Sequence, residues 1–461
     1  MKVLTNEISY EFILSSLGLK GGDKSFDIKG FFTDSREVFE GGCFVALRGE
    51  RVNGADYIPD VLSKGACLAI SADLPEGFDN REGRVIIVDD SVEALARIAS
   101  CHRERLKGIK IAAVTGSVGK TTTKEMIYAV ISNKYKCHKT SGNHNSNIGL
   151  PISMFALDDS YGAAVYEMGM SGKGEISAMT SFVRPDVAVI TNIGNMHIEY
   201  LGSREGIRDA KMEIREGLSE KGELILNGDE PLLSHVDGAT FVSFDNPSAD
   251  GYIYNVREGE EGTYFDYRFK GETVSDIYVP AVGLHNVQNA AMAYGVGKAF
   301  GMTEDEIKEG LQNFRTEGMR QRFYQYKDVT ILEDCYNAGP ESMRASLSVL
   351  KSYCKRNGKR GVAVMGEMKE LGDHAPALHY ATGKFAAECC QLIFAVGNTA
   401  FCQGAVDGGL DSCAAFDMKD MAYSDIAVHI VKNIRPDDCI LFKGSRSMHL
   451  ETLIEEIKKI Y

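Results

Sequence analysis

The chain has 461 residues, 44% hydrophobic and 25% charged, with 51 Lys and Arg against 65 Asp and Glu and a formal net charge of −14. Its length suggests roughly two to four domains of ordinary size. The acidic balance argues against a nucleic-acid partner, which calls for a basic stripe, so an anionic substrate needs locally placed Arg, Lys, backbone N–H groups or metal.

At the N-terminus, "MKVLTNEISYEFILSSLG" is interrupted by Glu7 and Glu11 before any long apolar region forms, and no membrane-length apolar run follows. Neither a signal peptide nor a membrane span is expected. The eleven Cys are scattered, with Cys389 and Cys390 adjacent and no CxxC pair. That pattern indicates neither a disulfide framework nor a zinc site, and reduced cytosolic thiols are expected.

Up to about Lys107, the β-type segments "CFVAL", "CLAI" and "RVIIV" alternate with the helical stretches "YIPDVLSKGA" and "SVEALARIASCHRERL". This predicts a small mixed α/β domain over 1–108. The middle block, 109–317, opens on "IKIAAVTG" and returns to "AAVYEMG", "VAVITNIG" and "GELILNGD" with helix-like stretches between. A mostly parallel sheet with functional loops at the carboxyl ends of its strands is expected. Two helices, "HNVQNAAMAYGVGKAFG" and "TEDEIKEGLQNF", close this block, with Thr303 as N-cap and Glu306 completing a capping box. The last block, 318–461, begins near Glu317 and shows "VTILEDC", "RGVAVMG", "LIFAVG" and "CILFKG", each followed by a helical pattern, which predicts a second Rossmann-like unit. The fold class is therefore α/β in three domains.

The stretch "VTGSVGKTTTKE" carries the chemistry. Gly116 and Gly119 let backbone N–H groups turn inward around an anion, and the following helix offers its positive end to the same place. Gly116, Ser117, Val118, Gly119, Lys120, Thr121 and Thr122 form the expected ATP loop. Lys120 reaches the β and γ phosphates, and the Thr121 hydroxyl ligates Mg²⁺. The GxxxxGK[ST] spacing puts its first Gly where this chain has Val114, so the pattern is met in part. A phosphate loop alone does not distinguish a kinase from a GTPase or a ligase.

Glu167, at the end of "AAVYEMG", is a carboxylate suited to Mg²⁺; its bland alternative is a surface Glu. His197 and Lys211 follow in "TNIGNMHIEYLGSREGIRDAKMEI", where a lone His is more often structural and Lys211 by itself reads as a solvated helix lysine. Asn143, Asn145 and Asn147 of "GNHNSNIGLP" form either a plain turn or a polar loop facing substrate. In "GLHNVQNAAMA", Asn286 and Asn289 lie about a turn apart and their amides can read an adenine edge, unless His285 or Asn286 simply caps the helix. Arg320 of "GMRQRF" can neutralise a phosphate, with Arg322 an alternative. Asp334 of "ILEDCYNAGPESM" can hold a ribose hydroxyl or the cation, and Asn337 follows it in a polar loop. In "ILFKGSRSMHLE", Lys443, Gly444, Ser445 and Arg446 form at a helix N-terminus either a pocket for a carboxylate or an ordinary cap.

Together "TGSVGKTTTKE", "GNHNSNIGLP", "YEMGM", "TNIGNMHIEYLGS…AKMEI", "HNVQNAAMA" and "EDCYNAGPESM" resemble the Mur ligase family of ATP-dependent amino-acid ligases, over essentially the whole chain. The resemblance implies an N-terminal UDP-binding domain, a central ATPase domain and a C-terminal Rossmann-like domain. "YNAGPESM" and "KGSRSMHLE" are similar to the branch that adds a terminal dipeptide. Gly339 departs from that branch's usual Asn or Ser, and "GEMKELG" from its GDMxELG. The family's metal positions match Thr121, Glu167 and His197, and the lysine that many relatives carry as a carbamate matches Lys211. Nucleotide contacts match Asn289, Arg320 and Asp334. The UDP-sugar side matches Ser35 and Arg36, with "GERVNG" over 49–54, Asn143 and Asn147. The dipeptide side matches Asn337, Lys443, Ser445 and Arg446.

The implied reaction is ATP-driven joining of D-alanyl-D-alanine to UDP-N-acetylmuramoyl-tripeptide through an acyl phosphate, in the cytoplasm, by a monomer. Lys120, His197, Lys211 and Arg320 are its expected catalytic groups, with ATP and Mg²⁺ as cofactors. The alternatives are a relative adding a single third residue, a folate- or cyanophycin-type amide ligase, or a phosphotransferase of another class.

Overall fold

The computed structural model describes residues 1–20, 26–49, 51–316, 318–418 and 421–461. Glu50 of "GERVNG" and Glu317 at the start of the last block lie outside them. Three sheets follow one another along the chain. The first contains β1 (Lys2–Ser9), β2 (Asp27–Phe32), β3 (Gly42–Val45), β4 (Leu68–Ser71) and β5 (Val85–Ile87) in that spatial order. β1 is antiparallel to β2 and the rest are parallel.

The second sheet has nine strands: β6 (Lys110–Thr115), β7 (Cys137–Lys139), β8 (Ala163–Glu167), β9 (Val187–Ile190), β10 (Glu223–Asn227), β11 (Thr240–Ser243), β12 (Gly251–Glu258), β13 (Thr263–Phe269) and β14 (Glu272–Val279). Their spatial order is β14-β13-β12-β11-β10-β9-β6-β8-β7. The central strands β8 and β9 are buried at every position. Apolar runs of this kind belong to parallel strands covered on both faces. β12 to β14 instead form an antiparallel meander, which the expectation of alternating strands and helices did not include. Its burial alternates in places, as in "GYIYNVRE", because one face is solvated.

The third sheet orders β15 (Arg322–Tyr326), β16 (Val329–Glu333), β17 (Gly361–Gly366), β18 (Leu392–Val396), β19 (Cys413–Phe416) and β20 (Cys439–Lys443) as β15-β16-β20-β17-β18-β19. Only β15 runs antiparallel to its neighbour. Fold class and mostly parallel character agree with the sequence reading. The capping box at Thr303 and Glu306 is present, opening the helix Glu304–Gln312.

One expectation is corrected. Cys402 and Cys413 are disulfide-bonded, tying the helix Ala400–Asp407 to the edge strand β19. Nothing in an eleven-residue gap marks such a pair, because connectivity depends on how the helix returns to the strand. Nine other cysteines are free thiols. No helix among the described residues is long and apolar enough to cross a membrane.

Candidate active site

β9, β6 and β8 are neighbours, so the loops leaving their carboxyl ends meet. The chain leaves β6 through Gly116 (φ 150°) and Gly119 (φ 86°), backbone states that a Cβ disfavours, and enters the helix Lys120–Ser132. Gly116 has a second constraint, since a Cβ there would fall 1.9 Å from Thr191 Oγ1.

The loop after β9 braces this turn. Ser117 N donates to Asn192 O at 3.1 Å and Val118 N to Asn192 Oδ1 at 2.9 Å, while Thr191 Oγ1 and Asn192 Nδ2 both donate to Val118 O. The inward-turning N–H groups expected around an anion are thereby narrowed to part of the loop. Ser117 and Val118 spend theirs on Asn192, which leaves the amides of residues 119–122, ahead of the first helical bond from Thr123 N to Gly119 O. Lys120 Nζ donates to Gly116 O at 2.7 Å. Burial lowers the Lys120 pKa, and nearby Arg320 adds to the effect while Glu167 opposes it.

Glu167 receives Thr121 Oγ1 at 2.7 Å on one oxygen and Asn145 Nδ2 at 2.8 Å on the other. Its backbone N–H donates to Thr140 Oγ1 at 3.0 Å. Behind it Lys124, fully buried, donates to Thr140 O at 2.8 Å and pairs with Glu125 at 2.8 Å. Among the described residues no group of three or more His, Cys, Asp or Glu converges on a metal position. A Mg²⁺ held by one carboxylate, one hydroxyl, phosphate oxygens and water still fits Glu167 and Thr121, since all are hard oxygen donors.

These groups line a cleft of 520 Å³ between the second and third sheets, shared by Lys120, Thr121, Asn143, Glu167, His197, Asn289, Arg320, Asp334, Asn337 and Lys443. Arg320 packs over the Tyr336 ring, 4.1 Å from its centroid, inside the cleft. Arg322 instead faces Glu333 and is largely exposed, which separates the two alternatives of the RQR stretch. His197 Nδ1 lies 2.7 Å from Glu370 Oε2, and this contact holds the Glu370 carboxyl below its usual range. Asn289 sits against the phosphate loop, where a Cβ on Gly119 would lie 3.2 Å from its Oδ1. Neither His285 nor Asn286 caps its helix, whose N-cap is Gly283. Asn286 Nδ2 donates to Val282 O and Gln321 Oε1.

Two groups assigned to opposite substrates form one unit. Lys443 Nζ donates to Asp334 Oδ2 at 2.7 Å, and the same oxygen accepts from Ser346 Oγ. Both ion-pair partners are buried. Of the two readings of Lys443 to Arg446, carboxylate pocket or ordinary cap, the partners found here are internal ones. A three-residue 3₁₀ turn, Arg446–Met448, separates β20 from the helix Leu450–Ile460, and Arg446 pairs with Glu451 at 2.6 Å. Ser445 Oγ accepts from Lys369 N.

Gly116, Asn147 and Lys211 also lie off the cleft lining. The Asn147 Oδ1 is buried without a partner among the described residues. Lys211, expected by itself to be solvated, is fully buried, and burial with the Lys120 charge depresses its amine well below the ordinary lysine range. Ser35 and Arg36 stand apart on the first domain, where Arg36 is exposed and grips Asp34 through Nε at 2.8 Å. Asn192, Glu341 and Glu370 were given no role from sequence. Asn192 was findable as the residue two beyond β9, whereas Glu370 reaches the cleft, and Glu341 reaches Asn195, only through docking of the third domain.

Comparisons place this geometry. The model for the Mur ligase middle domain matches residues 114–297, that for the Mur ligase family catalytic domain 27–103, and that for the Mur ligase glutamate ligase domain 319–446. The chain is 36% identical to the UDP-N-acetylmuramoyl-tripeptide–D-alanyl-D-alanine ligase of Bacillus subtilis over 437 residues, covering 93% of each chain. The crystal structure of MurF from Acinetobacter baumannii superimposes with a TM-score of 0.87 at 30% identity, covering 99% of this chain and 100% of that one. MurF ligase from Thermotoga maritima, solved in complex with ADP, gives 0.81 at 28% identity, covering 94% and 97%.

Proposed function

The chain belongs to the Mur ligase family, and from that premise we propose that it is the ATP-dependent ligase joining D-alanyl-D-alanine to UDP-N-acetylmuramoyl-tripeptide in peptidoglycan precursor synthesis. The observation carrying the reading is the cleft itself. The phosphate loop and Glu167 on one wall face Arg320, Asn337 and the Asp334–Lys443 pair on the other.

A free carboxylate does not condense with an amine at neutral pH because its leaving group is poor. In the proposed reaction a tripeptide carboxylate oxygen attacks the γ-phosphorus of ATP, and ADP leaves with the β–γ bridging oxygen. The dipeptide amine then attacks the acyl carbon, the C–O bond breaks, and phosphate departs. Positioning and charge neutralisation dominate such in-line transfer. Lys120 and Arg320 supply cationic charge on either side of the cleft, and the amides of residues 119–122 hold phosphate oxygens. Thr121 and Glu167, oriented by Asn145, would hold Mg²⁺, which when bound offsets phosphate charge. His197, beside Glu370, is assigned to a second such ion. Lys211 fits a carbamate, because a buried neutral amine is the form that adds CO₂. Ser35, Arg36, Asn143 and Asn147 are assigned to the UDP-sugar side, and Asn337 with Lys443 to the dipeptide.

The same reading makes 1–108, 109–317 and 318–461 the UDP-binding, ATPase and ligase domains of a cytoplasmic monomer. Its test is phosphate release from ATP by the full chain with UDP-N-acetylmuramoyl-tripeptide and either D-Ala-D-Ala, D-Ala or L-Lys. Release that requires the dipeptide and yields a joined product by mass is expected. Release with no amine, or only with a single amino acid, would overturn the assignment.

A further inference from the structure

The third domain touches the phosphate loop through residues that the proposed reaction does not use. The helix Pro340–Asn357 begins at Gly339, and its first turn faces the 194–197 segment that follows β9. Glu341 Oε1 accepts from Asn195 N at 3.1 Å and from Asn195 Nδ2 at 2.5 Å. Its second oxygen is buried without a hydrogen-bond partner. That oxygen lies against Gly194, where an added Cβ would fall 2.6 Å from Oε2 and 3.1 Å from Ser117 Cβ. Gly194 N in turn donates to Ser117 Oγ at 2.8 Å. One continuous contact therefore runs from the third domain through Gly194 and Asn195 to the phosphate loop. Met196 against Gly339 and His197 beside Glu370 flank it on the same segment.

The geometry points to Glu341 as a positioning residue for the nucleotide, one that braces the phosphate loop from the third domain. The inference rests on the ATP site proposed above. Ser117 is held on one side by Asn192 and on the other by Gly194, so the amides of residues 119–122 face the cleft only while both holds persist. Losing the Glu341 acceptor strands two Asn195 donors and frees the segment that carries Gly194. Docking of the third domain and nucleotide affinity are then linked, and linkage of binding free energies runs both ways. Glycine at 194 follows from the same contact, because any side chain there displaces the carboxylate.

The experiment is isothermal titration of the full chain with MgATP, for the parent, Glu341→Ala, Glu341→Gln, Gly194→Ala and the Gly194→Ala, Glu341→Ala double variant. A hydrogen bond to a charged group carries about ten- to a hundredfold in an equilibrium constant. Glu341→Ala should weaken ATP by about tenfold or more, with KM for ATP rising in step and kcat at saturation nearly unchanged. Glu341→Gln keeps an oxygen facing Asn195 and should stay within about threefold of the parent. Gly194→Ala should weaken ATP as Glu341→Ala does, and the double variant should be no weaker than the worse single one. A parent that binds ATP while Glu341→Ala matches it would overturn this inference alone, as would a Gln variant as weak as the Ala variant or additive effects in the double variant. A parent that binds no ATP would overturn the ligase reading and this inference with it.

Discussion

Lys124 is the residue whose setting departs most from its chemical type. It is fully buried one turn into the helix that carries Lys120, and its ammonium is divided between Thr140 O and Glu125. Thr140 passes the connection on, since its hydroxyl accepts from the Glu167 backbone. Lys124→Met would leave a buried carbonyl unsatisfied and weaken the compensation of a buried Glu125. Removing one partner of such a set costs about 3 kcal/mol. Urea unfolding should show that loss, whereas Lys64→Met at the exposed Asp60 pair should change stability by under about 1 kcal/mol. Equal effects at the two sites would contradict the reading. Sequence marks Lys120, Thr121 and Glu167 well, because a phosphate loop and a strand-end carboxylate are local patterns. It does not distinguish Lys124 from any other helix lysine, and it leaves Arg446 between two readings, because partners such as Thr140 and Glu451 are supplied by packing.

At the scale of elements, strands and helices of the parallel layers are legible because a doubly covered strand is a continuous apolar run. The meander β12 to β14 and the edge strand β15 are not, since solvated faces leave mixed polar patterns that resemble loops, and the edge strand β19 is not because four residues, "CAAF", are too short to show a period. Two packed elements also carry a pH dependence. His102, on the helix Ser91–Arg105, donates through Nε2 to Leu157 O and is depressed to about 4 by burial. His138, on β7, is likewise depressed to about 4 by burial. Between the ordinary histidine value of 6.5 and about 4, the unfolded chain binds protons that the folded chain does not, so stability falls as pH is lowered through that window. Each proton contributes up to about 1.4 kcal/mol per pH unit. Urea midpoints at pH 7, 6 and 5 should fall, and His102→Leu should flatten the slope whatever its effect at pH 7. An unchanged slope in that variant would contradict the account.

Across the whole molecule, function depends on the third domain meeting the second, and this is the level at which sequence is least informative. Motifs indicate that a phosphate loop and a polar "EDCYNAGPESM" loop both exist, but not that Asp334 and Lys443 form one ion pair or that Glu341 reaches Asn195. Those contacts join residues more than a hundred positions apart. Their consequence is a cleft walled by both domains, in which the proposed reaction holds an activated carboxylate until an amine arrives. The activated carboxylate is the centre of the account, and isotope transfer tests it directly. UDP-N-acetylmuramoyl-tripeptide labelled with ¹⁸O in its reacting carboxylate, incubated with ATP, Mg²⁺, D-Ala-D-Ala and the full chain, should yield inorganic phosphate carrying one ¹⁸O for each amide formed. Amide formation with unlabelled phosphate would contradict an acyl-phosphate route.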